Sequence, residues 1–188
     1  MTSTVPRPAA WLDPAEARLD DLRALVEQPT DPADHPRADT VTDGVPIYSA
    51  ARLDDEAATA EGRRAVQAEL VHTLLDGPGI AVFTGAFAAS EIDPATAAFR
   101  AMIDEQRAGG AVAGDHFAKP GANDRIWNAI EKLALRDPDV FAAYYANPTL
   151  ALVCQAWLGP GYQVTSQVNV VNPGGAAQSP HRDYHLGF

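Results

Sequence analysis

At 188 residues the chain has the length of one domain with a core of its own, and its 46% hydrophobic and 21% charged residues exclude a wholly disordered or fibrous protein. The formal charge of −11, with Lys119 and Lys132 as its only lysines, excludes the clustered basic face of a nucleic-acid binder. Cys154 is the single cysteine, so there is no internal disulfide framework. No basic leader or membrane-length apolar run is present, and a cytoplasmic protein without nucleic-acid or membrane partners is expected.

Residues 1–46 are broken by prolines at 6, 8, 14, 29, 32, 36 and 46 and are expected to form a partly flexible arm. One short helix fits within it, over 14–26, with Leu19, Leu22 and Leu25 or Val26 on one side. His35 lies in this arm and is not expected to be catalytic. From Asp54 an amphipathic helix is expected to run to the Gly-Pro-Gly stop at 77–79, burying Val66, Leu70, Leu74 and Val71 and leaving His72 solvated. GIAVFTGAF then reads as a strand and SEIDPATAAFRAMIDEQRAGG as a helix capped by Ser90.

AGDHFAKPGANDRIWNA reads mostly as loop, with an unusual density of polar and aromatic side chains. DPDVFAAYYA and NPTLALVCQAWLGP are helices, the second started by Asn147-Pro148 and stopped by Gly159-Pro160. Cys154 reads as a small buried thiol within it. YQVTSQVNVVNPGG alternates as a strand does, with Thr165, Gln167 and Asn169 on one side and Val164, Ser166, Val168 and Val170 on the other. The polar side suits either solvent or a lumen holding a hydrophilic cosubstrate.

The chain ends on a strand, PHRDYHLGF, after a Gly/Pro-rich turn. Its His-x-Asp pair, His181 and Asp183, projects an imidazole and a carboxylate from one strand face. That is two thirds of the 2-His-1-carboxylate facial triad, which holds Fe(II) and leaves sites open for cosubstrate and oxygen. His185 continues the face, but strand residues i and i+4 stand roughly 13 Å apart. It therefore reads as a packing or supporting residue, and the third ligand must come from elsewhere. His116 is one candidate for it and equally a substrate-side or loop-stabilising group. Lys119 and Arg125 suit an anionic substrate, and Phe117 and Trp127 suit either a pocket wall or the core.

The stretch from HFAKPGANDRIW through TSQVNVVNPGG to PHRDYHLGF resembles the phytanoyl-CoA dioxygenase family, over roughly residues 75–188. The resemblance implies an α+β fold, with a double-stranded β-helix (a cupin-like jelly roll) under an N-terminal helical layer and residues 47–188 as its N-terminal portion. It implies an Fe(II)/2-oxoglutarate-dependent hydroxylase of a small molecule, with molecular oxygen as co-reactant. It transfers the metal to His181 and Asp183 alone and, because family members often hold 2-oxoglutarate with strand amides, favours Gln167 and Asn169 as its contacts; His116, Lys119 and Arg125 are the substrate-side candidates by residue type. No residue is assigned acid-base work. The family's distal histidine and 2-oxoglutarate-binding arginine would follow later than Phe188, so the sequence reads as a chain cut soon after its first metal strand. Two rivals are a non-catalytic jelly-roll module with a vestigial pair and a metal enzyme of cupin type, the latter normally richer in histidine than this segment.

Overall fold

The computed structural model describes residue 15 and residues 17–110 and 121–175. Its contacts separate a first unit, ending at Thr84, from a second that begins at Gly85. Together the described residues are mixed α+β, with one three-stranded and one two-stranded sheet among many helices. None of these helices is long and apolar enough to cross a membrane.

In the first unit, helix α1 (Leu19–Val26) carries Leu19, Leu22, Leu25 and Val26 exposed and buries no residue. Beyond it, residues given no element on sequence form a hairpin of β1 (Thr40–Thr42) and β2 (Val45–Ser49). Its two-residue turn is Asp43-Gly44, with φ of 52° and 78°; the left-handed conformation at both positions matches the twist of the flanking strands. Helices α2 (Ala50–Glu56) and α3 (Ala60–Leu75) then carry the chain to β3 (Val82–Thr84), which pairs parallel with β2, Tyr48 opposite Phe83.

The single helix expected from Asp54 is thus two. Thr59 caps α3 by accepting from the Gly62 N–H, and a β-carbon at Gly62 would stand 1.9 Å from the Glu56 carbonyl oxygen. Only glycine lets α3 begin this close to the end of α2. Val66 and Leu70 are buried as expected, with Tyr48 and Leu53, whereas Leu74 and Val71 are only half-buried.

Glu69, Thr73 and His35 are also buried, which the apolar stripe of α3 did not indicate. Thr73 spends its one hydrogen on the Glu69 carbonyl at 2.9 Å, so its oxygen accepts from the Tyr48 hydroxyl at 3.1 Å and from His35 Nδ1–H at 3.1 Å. Arg37 completes the group: its backbone N–H and guanidinium both donate to the Glu69 carboxylate, and the guanidinium also pairs with Glu56. Pairing offsets the cost of desolvating Glu69. Burial pushes the Tyr48 hydroxyl up to about 12.

Burial lowers the His35 pKa below its ordinary 6.5, and His72, its ring 5.9 Å away, lowers it further; Glu69, Asp34 and Asp31 pull the other way without prevailing. A histidine with a depressed folded pKa binds fewer protons folded than unfolded. Its contribution to stability is therefore complete above 6.5 and is lost as the pH falls from there toward the folded value. The unfolding free energy of the wild type is expected to fall between pH 7 and pH 5 more steeply than that of His35→Gln, measured by urea denaturation. Equal slopes would contradict this.

The second unit is built on α4 (Ala89–Ala108), which buries Ala95, Phe99, Met102 and Ile103 at helical spacing. Its start is not capped by Ser90 as expected: the cap is Ala88, whose N–H donates to the Glu91 carboxylate, since the helix begins one residue before Ser90. Strand β4 (Asn123–Ile126) brings Ile126 onto that apolar row, and α5 (Ala129–Arg136) adds Ala129 and Leu133. Helix α6 (Pro138–Tyr145) packs Val140, Phe141, Tyr144 and Tyr145 against the same cluster. Helix α7 (Pro148–Leu158) starts and stops where the sequence placed it: Asn147 accepts from the Leu150 N–H at 2.7 Å, and Gly159 ends it at φ 80°. Cys154 is half-buried, its thiol pKa raised by burial. The final strand, β5 (Val168–Val171), is shorter than expected and pairs antiparallel with β4.

Candidate functional site

Gln167 stands just before β5, and the β4–β5 pair carries Arg125 and Asn169. Its register sets Arg125 opposite Asn169 and Asn123 opposite Val171, so alternation puts these four side chains on one face of the ribbon. NDRI was read as loop; it is a strand because β5 pairs with it and because Ile126, on its other face, is fully buried.

On the polar face Asn123 Nδ2 donates to Asn169 Oδ1 at 3.1 Å. Asn169 is exposed, and with its carbonyl oxygen engaged the group it presents outward is its NH2 donor. Arg125 is half-buried, with its guanidinium carbon 4.4 Å from the centre of the exposed Trp127 ring. A cation this close to an aromatic face is held by the ring. Gln167 is exposed just before β5. A guanidinium and carboxamides on one surface make a donor set suited to carboxylates.

The opposite face is tied down. Arg107 of α4 grips Asp124 through a fork of two N–H bonds, Nε to Oδ1 at 3.0 Å and the second from Nη2 to Oδ2. Asn172 Nδ2 donates to the same Oδ2 at 2.9 Å. The Arg107 hydrogen bond comes first among the causes that hold the Asp124 carboxyl below its ordinary range, with Asn172 adding to it. Residues 172–175 make a turn in which the Gly175 N–H returns to the Asn172 carbonyl at 2.9 Å, with Pro173 at its second position and Gly174 at φ 84° in its third. Those are the demands of a type II turn, which Asn-Pro-Gly-Gly meets. None of Arg107, Asn123, Asp124 and Asn172 was singled out on sequence. The Asn-Pro-Gly-Gly stretch and the Asn-x-Arg alternation were the available signals.

Behind β5 lies an apolar cleft of about 380 Å³, walled by Phe87, Phe99, Tyr144, Leu150 and Leu158, with Cys154 in its lining. Tyr145 and Ser166 are joined there by a hydroxyl–hydroxyl hydrogen bond. Thr165 and Gln167 border the cleft, whereas Arg125 and Asn169 do not line it. The polar face and the cleft are thus adjoining features that meet near Gln167.

Among the described residues no group of three His, Cys, Asp or Glu side chains stands close enough to hold a metal. His181 and Asp183, with His116, Phe117, Lys119 and His185, lie outside the described residues.

A family model described as phytanoyl-CoA dioxygenase (PhyH) matches residues 75–188, which span both strands of the ribbon and the His-x-Asp pair. No curated protein and no solved structure matches the chain.

Proposed function

The chain belongs to the phytanoyl-CoA dioxygenase family, and from that premise we propose that it is an Fe(II)/2-oxoglutarate-dependent hydroxylase of a small-molecule substrate. The observation that carries the proposal is the family match itself, because it takes in the only His-x-Asp pair in the sequence. His181 and Asp183 are the proposed iron ligands, Gln167 and Asn169 the 2-oxoglutarate contacts, and His116, Lys119 and Arg125 the substrate side. A double-stranded β-helix within residues 47–188 belongs to the same proposal, with β4 and β5 as two of its strands.

The donor set of the ribbon supports the cosubstrate assignment. 2-Oxoglutarate is a dianion, and Asn169 and Gln167 bring carboxamide donors while Arg125 brings a fixed positive charge. With molecular oxygen as the oxidant, bound iron and cosubstrate would supply the chemistry: one oxygen atom would go to 2-oxoglutarate as it loses CO2 and becomes succinate, and the other to the hydroxylated substrate C–H bond. The side chains of this chain then have three tasks: to hold the dicarboxylate in one orientation, to neutralise charge, and to aim the substrate. None of these needs a proton-transfer residue, which agrees with a polar face built from amides and a guanidinium.

Asn169→Ala removes one donor to a charged ligand, a bond worth about 1.5–3 kcal/mol. The 2-oxoglutarate dissociation constant of the Fe(II)-loaded chain is expected to rise by about 10-fold to 100-fold. An unchanged constant would remove Asn169 from the cosubstrate site.

A further inference from the structure

Among the described residues, no charged side chain lines the apolar cleft behind β5. An ionised ligand would lose its water there without gaining a counter-charge, so the cleft selects for neutral molecules. It is therefore no second place for 2-oxoglutarate or for a metal ion. Its wall is largely aromatic: the Phe87 and Tyr144 rings stack at 5.4 Å, and Phe99 meets Tyr144 edge-on at 6.2 Å. Leu150 and Leu158 of α7 add aliphatic lining and are 38% and 57% exposed, so the apolar surface reaches solvent. The volume of about 380 Å³ lies within the range of small-molecule sites, about 300–1,000 Å³.

The cleft also carries a fixed polar anchor, the hydrogen-bonded hydroxyls of Tyr145 and Ser166. Two hydroxyls hold two hydrogens, and their mutual bond uses one; the other is left for the oxygen of a ligand. Both groups are held by the body of this unit. The Tyr145 ring packs edge-on against Tyr144 at 5.1 Å and lies 5.3 Å from Phe141, and the Ser166 carbonyl accepts from the N–H of Ala129, the first residue of α5, at 3.0 Å. The anchor is thus placed before any ligand arrives, which lowers the entropy cost of binding.

We propose that this cleft binds a small neutral molecule with a body of one or two rings and one hydroxyl or carbonyl oxygen, the body against the aromatic wall and the oxygen on the Tyr145–Ser166 pair. Nothing in this site depends on bound iron, so it stands or falls apart from the oxygenase reading. The competing occupant is another segment of the same chain, which would shield the cleft when no ligand is present.

Cys154, the only cysteine, lines the cleft and reports on its occupancy. The test follows the rate at which the full wild-type chain reacts with the neutral thiol reagent 4,4′-dithiodipyridine, at a neutral pH, while 1-naphthol or 1-naphthoate is titrated in. The first probe is uncharged under these conditions and the second is ionised. The expected result is a Cys154 that reacts in the free chain and is protected saturably by 1-naphthol, with 1-naphthoate weaker by about 10-fold or more. The double variant Tyr145→Phe, Ser166→Ala removes both hydroxyls and is expected to weaken 1-naphthol by about 2-fold to 10-fold, the worth of one neutral hydrogen bond. Circular dichroism shows whether that variant folds; if it does not, the comparison of the two probes on the wild type carries the test. A Cys154 that stays unreactive in the free, folded wild type means that another segment fills the cleft, and overturns the proposal. So does 1-naphthol that gives no saturable protection, 1-naphthoate that protects equally well, or a folded double variant with wild-type affinity.

Discussion

Asp183→Ala is expected to yield a folded chain that no longer retains Fe(II). In the proposed site, positions 181 and 183 would share one face of an extended strand, so that the imidazole and the carboxylate would meet at one ion. Of the two, the carboxylate supplies the negative charge, and a hard divalent cation loses both a bond and its nearest counter-charge when that group is removed. Loss of a supporting residue already costs 10-fold to 100-fold in metal affinity, so loss of a direct ligand is expected to exceed about 100-fold. The measurement is iron content after anaerobic loading and desalting, with circular dichroism to show that the fold persists. Stoichiometric iron in the variant would remove Asp183 from the site.

Ile126→Ala is expected to destabilise the second unit by about 2–5 kcal/mol, the range for emptying a buried position of this size. Ile126 has no exposed surface and belongs to one cluster with Phe99, Met102 and Ile103 of α4 and Leu133 of α5. It is also the anchor of β4. The strand presents Asn123 and Arg125 on one face because Ile126 is fixed on the other, so a cavity here loosens the polar ribbon from behind. Urea unfolding followed by fluorescence of Trp127, in a background where Trp11 and Trp157 are replaced by Phe, reports this unit. A change below about 0.5 kcal/mol, the scale of ordinary surface substitutions, would show that the strand is not held by this contact.

Where local chemistry decides an element, the sequence revealed it. Asn147-Pro148 and Gly159 bound α7 because a side-chain cap and a left-handed stop are properties of those residues alone. The alternation around Gln167 and Asn169 likewise marked a polar row, although the paired strand covers only its later part. Where a distant partner decides, the sequence was silent. NDRI has no apolar alternation of its own and becomes β4 through pairing with β5. Glu69 and Thr73 sit among polar neighbours on α3 and are buried only because Arg37, His35 and Tyr48 reach them from the preceding segment. Gly62 reads as a weak point in one helix and proves to be where two helices abut. The hairpin at 40–49 did carry a local signal, Asp43-Gly44 between two short β-rich runs, which the surrounding prolines obscured.

The same division runs through the candidate site. Gln167, Asn169 and Arg125 were identified by residue type, and the structure sets Arg125 directly across from Asn169. Asp124 and Asn172, which no chemical motif marks, emerge only from the register and from the shared carboxylate.

The most direct test of the oxygenase proposal is an anaerobic titration of the wild-type chain with Fe(II) in the presence of 2-oxoglutarate, recorded by visible absorption. The account predicts a metal-to-ligand charge-transfer band that saturates at one iron per chain and requires both components. A folded protein that gives no band, or one that appears without 2-oxoglutarate, would contradict it.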